Sequence, residues 1–551
     1  MAIGRIRKAT RHIARYREIF STLVRYGLAD WASRVDYELA KDLLQRQAPP
    51  ELLSLSTPER IRRALMELGP TFIKFGQVLS VRPDLVGVAL ADELKLLQTS
   101  VTPDPPFEVE RIIEAGLGKP LREIFSSFEP EPVASASIGQ VHRAWLLTGE
   151  KVAVKVRHRD IVQMVNTDVE ILADLAGLVE DYVEESRNYR PRETVAQFAR
   201  TIKREMDFNR EARNIRNLAE DLAGEEGLKI PAVYEDLCDS AVLVMEWMDG
   251  TPLTRVGELN LSPDETRDIA RRGASLYLKM IFVNGYYHAD PHPGNILVLP
   301  DGSLTLLDFG MMGRLSTRMR EYVEDLAGAI ISRDSERITR VIVKAGETPQ
   351  NLDETALGLD MTEFIAYYGS MPLSKIRLFE ALNEMVGVIH RHHITLQAEI
   401  MMLIKTLVTL DGTARSLAAD FNVLSLISPY HERLGGAGAY LRRRLTRASR
   451  FYDEIAVFAD TAPPALADII ERLRRGTFEV HMEHRGLEHS ANRLVFGILT
   501  AALFVGSALL LSFKVPPTLL GLSVLGLLGF AGSLFMGVRI LWAIMVSGRL
   551  E

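Results

Sequence analysis

Apolar and polar positions recur with two different periods along this chain of 551 residues. Residues 1–100 follow a helical period that is interrupted at Pro49-Pro50, and the stretch "VTPDPP" at 101–106 predicts a linker. From 131 to 158 the period becomes two, with β-branched residues on both sides of a Thr-Gly-Glu turn. This change predicts a β-hairpin after a helical N-terminal segment.

The remaining pattern is helical apart from short apolar strands. We predict helices over 161–220 and 260–285, a buried strand at 241–250 and a strand pair about the turn "PDGS" at 296–307. Residues 315–480 are predicted to be mostly helical, with breaks near Pro349, Pro372 and Pro429. We therefore expect an α+β chain with four parts: a helical extension (1–100), a small lobe with a sheet (101–255), a larger helical lobe (256–490) and a membrane segment (491–551).

The C-terminal segment contains two long uncharged apolar runs, at 494–513 and 519–538. Each has about the length needed to cross a bilayer, and core helices are rarely apolar on every side over such a length. We expect a transmembrane hairpin with two spans, in which Ala502 and Gly506 form the small-residue contact between the helices. Basic residues at the outer ends predict a cytoplasmic location for the rest of the protein, at a bacterial inner membrane; they are Arg493, Arg539 and Arg549.

Composition narrows the range of functions. The net charge is −7 and 25% of the residues are charged, which is typical of a globular protein and argues against a nucleic-acid binder. Cys238 is the only cysteine, so a disulfide framework and a cysteine zinc site are excluded. Residues 1–25 carry seven basic side chains and one acidic one. A solvated helix, a targeting segment and a helix on an anionic membrane surface all fit this pattern.

Two short motifs in the middle of the chain predict phosphoryl transfer. Asp290 and Asn295 are five residues apart in "HADPHPGNILV" (288–298), and Asp308 begins an Asp-Phe-Gly triplet after an intervening strand and turn. Protein kinases carry this spacing in their catalytic loop, followed by the same triplet. Asp290 is therefore predicted to orient or deprotonate the acceptor, and Asn295 and Asp308 to hold Mg²⁺ against the phosphates of ATP.

Residues upstream of these motifs complete the pattern. The stretch "VAVKV" (152–156) matches the kinase strand that supplies the phosphate-contacting lysine, here Lys155, and Glu211 is predicted to pair with this lysine from a following helix. The stretch "MEWMDG" (245–250) occupies the place of the strand that links the two lobes of a kinase. Glu246 and Met248 are therefore predicted to lie against the adenine.

The predicted phosphate-binding loop, "ASASIGQVH" (134–142), departs from that of a typical protein kinase. It has one glycine, Gly139, where a kinase has three, and alanine and serine make the loop stiffer. Ala289 replaces the arginine of the kinase catalytic loop, and no Ala-Pro-Glu motif follows Asp308, so we expect no platform for a peptide substrate. The loop residues predicted to contact the nucleotide are Ala134, Ser135, Ala136, Ser137, Ile138, Gly139, Gln140 and Val141.

The chain resembles the UbiB/AarF/ADCK family of atypical kinase-like proteins over about residues 60–320. The resemblance rests on "KFGQ" (74–77), the alanine-containing loop, "EMD" (205–207) and "HADPHPGN" (288–295). It implies a protein-kinase-like two-lobed fold in which Lys74 covers the side of the cleft where a peptide would bind. Lys74 is expected to meet Glu205 and Asp207, on a helix that also presents Glu211 to Lys155.

The resemblance also implies Mg²⁺-ATP as the cofactor. ATP hydrolysis or unorthodox phosphotransfer would support the biosynthesis of ubiquinone or a related isoprenoid quinone, by acting on prenylated lipid intermediates or extracting them from the membrane. The expected partners are membrane lipids and quinone-biosynthesis intermediates or enzymes; nucleic acid is not expected, and a homodimer is left open. Ser135 stands where the family usually has alanine, which leaves the nucleotide preference open.

Three other functions stay open. Small-molecule kinases of the aminoglycoside and choline type have a similar catalytic loop and also lack an activation segment. A metal-dependent oxygenase would use His288, Asp290 and His292 as ligands. A nucleotide-gated scaffold would bind ATP without turnover, although the complete set of Lys155, Asp290, Asn295 and Asp308 argues against it.

Overall fold

The computed structural model describes residues 2–28, 52, 54–97, 102–182, 190–349, 351–372, 375–426, 487–519 and 522–546. The chain divides into two compact units, residues 1–443 and 444–551. The breaks predicted at Pro49-Pro50 and Pro429 lie outside the described residues, as does the helical stretch predicted between 427 and 480.

The described part of the N-terminal extension is helical, as its period predicts. Its helices are α1 (Ala2–Arg25), α2 (Thr57–Leu68), α3 (Pro70–Ser80), α4 (Pro83–Val86) and α5 (Val88–Leu94). Gly69 separates α2 from α3 with a φ of 95°, a conformation that favours glycine. Arg15 joins α1 to its neighbours, because its Nε lies 2.8 Å from the buried carboxylate of Asp168 and its Nη2 donates to the Leu68 carbonyl.

An antiparallel sheet follows the linker. Two short helices and four strands precede its helical insertion: α6 (Pro106–Leu117), α7 (Leu121–Ile124), β1 (Phe125–Phe128), β2 (Ala134–Ser135), β3 (Gly139–Leu146) and β4 (Lys151–Arg157). The predicted hairpin is β3 and β4, which pair antiparallel with Val141 opposite Lys155. Alternate residues of β4, Val152 and Val154, are completely buried against α6, so the sheet has one covered face.

Three helices and then three strands form the next described part of the chain. They are α8 (Ile161–Tyr182), α9 (Pro191–Glu205), α10 (Phe208–Asp221), β5 (Leu228–Lys229), β6 (Val242–Glu246) and β7 (Thr251–Pro252). Strand β6 pairs antiparallel with β4 and completes a sheet with the order β1–β3–β4–β6, to which β2 is added beside β3. The described residues between 161 and 220 are therefore mostly helical, as predicted, but α9 and α10 are separated at Met206-Asp207.

Two small sheets of short strands lie in the middle of the chain. Helix α11 (Pro263–Lys279) starts at a capping box formed by Ser262 and Glu265. It leads to β8 (Tyr286–His288), β9 (Ile296–Val298), β10 (Leu304–Leu306) and β11 (Met312–Arg314). Strand β9 lies between β10 and β7, and β8 pairs with β11 so that His288 is opposite Met312. The two small sheets bring the ends of β8 and β10 together.

The remaining described residues of the first unit, up to residue 426, are mostly helical. Its elements are α12 (Thr317–Ile331), α13 (Ser335–Ala345), β12 (Gly346–Glu347), α14 (Glu354–Gly369), α15 (Leu378–Arg391), β13 (Thr395–Leu396) and α16 (Ala398–Leu417). The largest core cluster joins α10, α11, the strands of the two small sheets and α16; it includes the buried residues Ile215, Tyr277, Tyr287, Phe309 and Leu407. This core is the support for the residues of the candidate site.

The C-terminal unit contains α17 (Leu487–Ser512), a short ladder of β14 (Thr518–Leu519) and β15 (Leu522–Ser523), and α18 (Val524–Val546). Within the described residues, one helix is long and apolar enough to cross a membrane, at Val495–Ser512, and Val524–Arg539 forms a shorter apolar stretch. One candidate span is thus present, and the two-span hairpin remains a prediction.

The contact between α17 and α18 differs from the predicted one. No atom outside its own helix backbone lies within 4 Å of a Cβ placed on Gly506. A Cβ on Gly529 would instead lie 2.3 Å from Ser507 Oγ, and one on Gly526 would lie 2.8 Å from Leu511 Cγ. The two helices therefore approach at Ser507, Gly526 and Gly529, and the prediction of Ala502 and Gly506 was wrong.

Candidate active site

The predicted catalytic loop connects β8 to β9. His288, the last residue of β8, holds the start of this loop in place. The His288 ring is completely buried, and its Nε2 donates to the carbonyls of Leu307 and Asp308 at 3.0 and 3.1 Å. Its Nδ1 accepts from Asp290 N at 3.3 Å and lies 3.2 Å from Tyr277 Oη. Burial lowers the pKa of His288, so the imidazole is neutral and fixes the loop against the Asp-Phe-Gly turn.

Asp290 and Asn295 lie at the two ends of the loop and contact each other. Asn295 Nδ2 donates to Asp290 Oδ2 at 3.1 Å, and Leu307 N donates to the Asn295 carbonyl at 2.8 Å. The second bond places Asn295 next to Asp308. The other oxygen of Asp290, Oδ1, lies 3.4 Å from the ammonium of Lys405 on α16, a contact that the sequence motifs do not predict.

Lys155 joins the sheet to the Asp-Phe-Gly turn. Its Nζ donates to both oxygens of Glu211 at 2.8 Å and to Asp308 Oδ1 at 3.2 Å. The predicted pairing of Lys155 with Glu211 is thus formed in the structure. Val141 lies opposite Lys155 in the neighbouring strand, which places the end of the predicted nucleotide loop beside this lysine.

The charged groups of this cluster shift the pKa values of one another. Burial lowers the pKa of Lys155, but Asp308 and Glu211 outweigh burial, so its pKa lies above the ordinary value of a lysine. Lys155 holds the pKa of Asp308 well below the ordinary range, with a smaller contribution from Lys74. Burial raises the pKa of Glu211 against the opposing effect of Lys155. The side chain of Asp308 is nevertheless 57% exposed, so solvent reaches its carboxylate.

Backbone geometry at Asp308 is unusual. Its φ of 55° lies in the left-handed region, which a non-glycine residue adopts only with support from its surroundings. His288 supplies part of that support from one side, and Asn214 Nδ2 on α10 donates to the Phe309 carbonyl at 2.9 Å from another. Tyr286 Oη in turn donates to Asn214 Oδ1 at 3.0 Å. Sequence reasoning missed Asn214, which has no motif of its own.

The oxygen donors at this turn fit Mg²⁺. Asn295 and Asp308 offer an amide and a carboxylate, which are ligands that Mg²⁺ accepts, from two backbone segments joined by a hydrogen bond. No group of three or more His, Cys, Asp or Glu side chains arranged for a metal occurs among the described residues. His288 uses both ring nitrogens inside the protein, and His292 Nδ1 accepts from Gly294 N at 3.1 Å. The oxygenase arrangement of these two histidines with Asp290 is therefore not formed.

The KFGQ segment lies on α3 and reaches the same cluster. Lys74 Nζ is 2.7 Å from Glu205 Oε2, and the two side chains are only 17% and 8% exposed. Burial lowers the pKa of Lys74, but Glu205, and more weakly Asp308 and Asp290, raise it above its ordinary value. The Lys74 ammonium therefore keeps its charge beside Glu205 despite its burial.

The three acids predicted to share one helix lie on two. Glu205 is the last residue of α9, whereas Asp207 is the N-cap of α10, where its Oδ1 accepts from Asn209 N at 3.2 Å. Aspartate is favoured at this position because it satisfies a free N–H at the helix start. Arg157 Nη1 satisfies the Met206 carbonyl at the break, at 2.8 Å. The expectation of a single helix was wrong, and the described contact of Lys74 is with Glu205.

The predicted nucleotide loop is a tight turn between β2 and β3. Ala134 pairs with Val141 and Ser135 with Gln140, and Ala136 N donates to the Gly139 carbonyl at 2.9 Å. Ser137 and Ile138 therefore lie at its tip. A Cβ on Gly139 would lie 2.5 Å from the Val156 carbonyl, so only glycine allows this close approach of β3 to β4.

Side chains below the loop connect it to the linker. Gln140 is buried, with its Oε1 accepting from Asp104 N at 2.7 Å and its Nε2 lying 2.9 Å from His142 Nε2. His158 Nδ1 lies 2.8 Å from Asp104 Oδ2, and its Nε2 donates to the Ala136 carbonyl at 2.9 Å. The Gln140 side chain thus supports the loop from below, and only its backbone remains for the predicted nucleotide contact.

The two residues predicted to lie against adenine differ in their surroundings. Glu246 ends β6, where its carboxylate pairs with Lys229 and its N–H donates to the Ala232 carbonyl at 2.7 Å. Met248 is buried against Leu297 and Leu299. Met248 therefore packs the segment after β6 against β9. Strand β9 begins directly after the catalytic loop.

Three family models match the chain. The ABC1 atypical kinase-like domain matches residues 96–342, the UbiB helical domain matches 361–422, and the ABC1/UbiB kinase-like C-terminal domain matches 480–546. The chain belongs to the UbiB/ADCK family of atypical kinase-like proteins. This membership confirms the resemblance found in the sequence and the presence of a kinase-like domain.

The chain also matches solved structures, and one of them serves as an example. It is the complex of Rv3197 with erythromycin from Mycobacterium tuberculosis, which is 23% identical, covers 64% of this chain and 90% of that chain, and has a TM-score of 0.47. Within the UbiB/ADCK chain described here, α16 and Lys405 belong to the UbiB helical domain, whereas Asp290 and Asp308 belong to the ABC1 domain.

Proposed function

We propose that this UbiB/ADCK chain is a membrane-anchored atypical kinase or ATPase that binds Mg²⁺-ATP. The observation that carries the proposal is the cluster of Lys155, Glu211 and Asp308, with the catalytic-loop residues Asp290 and Asn295 beside it. Phosphoryl transfer needs cations and metal ligands to stabilise charge on the phosphates, together with a carboxylate to orient the nucleophile.

Each residue has a role in this proposal. Lys155 contacts the phosphates, and Glu211 holds its side chain at 2.8 Å in the required position. Asn295 and Asp308 would hold Mg²⁺, which neutralises charge on the phosphates when it is bound. Asp290 orients the attacking hydroxyl or water and accepts its proton. Residues 134–141 and the end of β6, with Glu246 and Met248, bind the rest of the nucleotide.

The N-terminal extension restricts the substrates in this proposal. Lys74 on α3 pairs with Glu205, and this pair supports an arrangement in which α3 covers the side of the cleft where a peptide would bind. We propose that generic peptides are poor substrates. The family supports a role in the biosynthesis of ubiquinone or a related isoprenoid quinone, in which prenylated lipid intermediates or biosynthetic enzymes are the partners.

The C-terminal unit supports anchoring in a membrane. The stretch Val495–Ser512 has the length and composition of a span, and side chains along it, among them Ile498 and Val505, are largely exposed. We propose that α18 is the second span, seated on α17 through Gly526 and Gly529, with the kinase-like unit on the cytoplasmic side of a bacterial inner membrane. In this proposal the chain has the four parts predicted from the sequence: the extension (1–100), the small lobe (101–255), the helical lobe (256–490) and the membrane segment (491–551).

The proposal is tested by ADP release from the detergent-solubilised protein, with and without lipid and phenolic quinone precursors. We expect Mg²⁺-dependent ADP release that increases with these compounds. Release that instead requires a water-soluble aminoglycoside or choline, and is indifferent to lipid, would favour the small-molecule kinase. Nucleotide binding without release under every condition would favour the scaffold.

A further inference from the structure

One helix of the UbiB helical domain contacts three consecutive residues of the catalytic loop. On α16, Lys405 Nζ lies 3.4 Å from Asp290 Oδ1. The Thr406 hydroxyl lies 3.1 Å from the Ala289 carbonyl and shares its proton with the Met402 carbonyl of its own helix at 2.8 Å. Two helical turns later, Thr413 Oγ1 donates to the Pro291 carbonyl at 2.7 Å. Residues seven apart lie on the same face of a helix, so one face of α16 runs along the loop.

The loop itself lacks a cation. Residues 288–295 contain no lysine or arginine, and Ala289, which stands in place of the arginine of the kinase motif, is completely buried. Lys405 brings a positive charge to this loop from a helix more than a hundred residues away in sequence. Its Nζ also lies 4.0 Å from Met311 Sδ, directly after the Asp-Phe-Gly triplet.

The two oxygens of Asp290 are held separately. Asn295 Nδ2 donates to Oδ2 at 3.1 Å, and the Lys405 ammonium lies 3.4 Å from Oδ1. The side chains of Lys405 and Asp290 are 24% and 29% exposed, so the pair is only partly screened by water. A carboxylate held at both oxygens has a fixed plane, whereas one held at a single oxygen can rotate about its last bond.

We propose that Lys405 is a positioning residue for the reaction: it fixes the carboxylate of Asp290 in the orientation that receives the acceptor, and Thr406 and Thr413 fix the backbone on either side. The UbiB helical domain thereby completes the catalytic loop of the ABC1 domain. This inference rests on the proposed function for the role of Asp290. The contact between Lys405 and Asp290 does not depend on nucleotide chemistry, so this inference and the proposed function can be tested separately.

The test compares Lys405→Met, which keeps the length of the side chain and removes its charge, with Lys405→Arg in the full-length detergent-solubilised protein. Lys344→Met, at an exposed lysine of α13, is the matched control. In Lys405→Met we expect kcat for ADP release to fall about 10- to 100-fold, with the KM for ATP changed by less than about threefold, because misplacing a catalytic group affects the chemical step. Lys405→Arg is expected to recover most of kcat.

Two further measurements decide between the possible outcomes. Hydrogen exchange in a peptide covering 286–298 should be faster in Lys405→Met than in the control, with or without ATP. The effect of Lys405→Met on kcat should also disappear in an Asp290→Asn background. Unchanged kcat together with unchanged exchange would overturn the inference while leaving the proposed function intact. A native protein that neither binds nor turns over Mg²⁺-ATP would overturn the proposed function, and the exchange measurement would still decide whether Lys405 holds the loop.

Discussion

Lys74 of the KFGQ segment and Glu205 at the end of α9 form a largely buried ion pair, with 2.7 Å between Nζ and Oε2. Removing one partner of such a pair leaves an uncompensated charge in a site with little water, which is costly. The other oxygen of Glu205, Oε1, is buried and has no hydrogen-bond partner among the described residues. The pair therefore joins α3 of the extension to the end of α9.

The first prediction concerns this pair. In a double-mutant cycle between Lys74→Ala and Glu205→Ala, we expect a coupling of about 0.5–3 kcal/mol in thermal stability, and a change in ADP release in both single variants. Lys95→Ala, at a half-exposed lysine of the same extension, is the control and should leave both unchanged. Strictly additive effects of Lys74→Ala and Glu205→Ala would mean that the two side chains do not interact.

The second prediction concerns pH. Burial lowers the pKa of His288 in the folded state, so only the unfolded state takes up its proton as the pH falls below about 6.5. Stability is therefore present above that value and is lost on acidification, by at most about 1 kcal/mol between pH 7.5 and 5.5 for one histidine. His142, whose pKa is also lowered by burial, contributes in the same direction.

The unfolding midpoint of the unmodified protein, measured at both pH values, gives the size of this loss. His288→Asn should lower stability at pH 7.5 and reduce the loss between the two values. The control is His393→Asn, at an exposed residue with a φ of 54° that asparagine tolerates. An equal pH response in His288→Asn and the control would show that His288 is not buried as a neutral group.

The third prediction concerns the nucleotide loop. Gly139→Ala places a methyl group 2.5 Å from the backbone carbonyl of Val156, which cannot move without shifting β4. We expect a loss of about 1–3 kcal/mol in stability and weaker binding of Mg²⁺-ATP, measured by calorimetry. Gly257→Ala, at a glycine with nothing within 4 Å of the added atom, should change neither. Normal stability of Gly139→Ala would contradict the close approach of β3 to β4.

The fourth prediction concerns the C-terminal unit. A chain that ends at residue 486 lacks α17 and α18 and should no longer sediment with membranes, while it keeps Mg²⁺-ATP binding within about threefold of the full chain. The reason is that the candidate site lies within the first compact unit. Continued sedimentation of the folded truncated chain would mean that the basic N-terminal segment or another surface binds the membrane.

Motifs made of neighbouring residues were the most predictable part of the site. The order of Lys155, Glu211, Asp290, Asn295 and Asp308 in the sequence predicted a single cluster, and the structure brings these residues together. Each motif has a fixed spacing because a strand or a tight loop sets the position of its side chains. The β3–β4 hairpin was predictable for the same reason, since a period of two on both sides of a turn has few other interpretations.

Relationships between distant segments were not predictable in this way. Lys405 and Asn214 contact the site through tertiary packing, and neither has a local pattern that distinguishes it from other polar residues on a helix. Asp207 was assigned to a helix interior because the whole stretch 161–220 was predicted to be helical, although aspartate before an apolar residue is also typical of an N-cap. The C-terminal unit has many small residues, and the sequence does not show which of them form the contact between the helices. Only the packing shows that Ser507 faces Gly526 and Gly529.

The nucleotide site is tested most directly by the binding of Mg²⁺-ATP to Asp308→Asn. Both Lys155 and the proposed metal require the carboxylate of Asp308. Asparagine has about the same size as aspartate but carries no charge. We expect the unmodified protein and the control Asp301→Asn, in the exposed turn between β9 and β10, to gain several degrees of thermal stability with Mg²⁺-ATP. Folded Asp308→Asn should lose the Mg²⁺-dependent part of this gain, and a full gain in that variant would contradict the site.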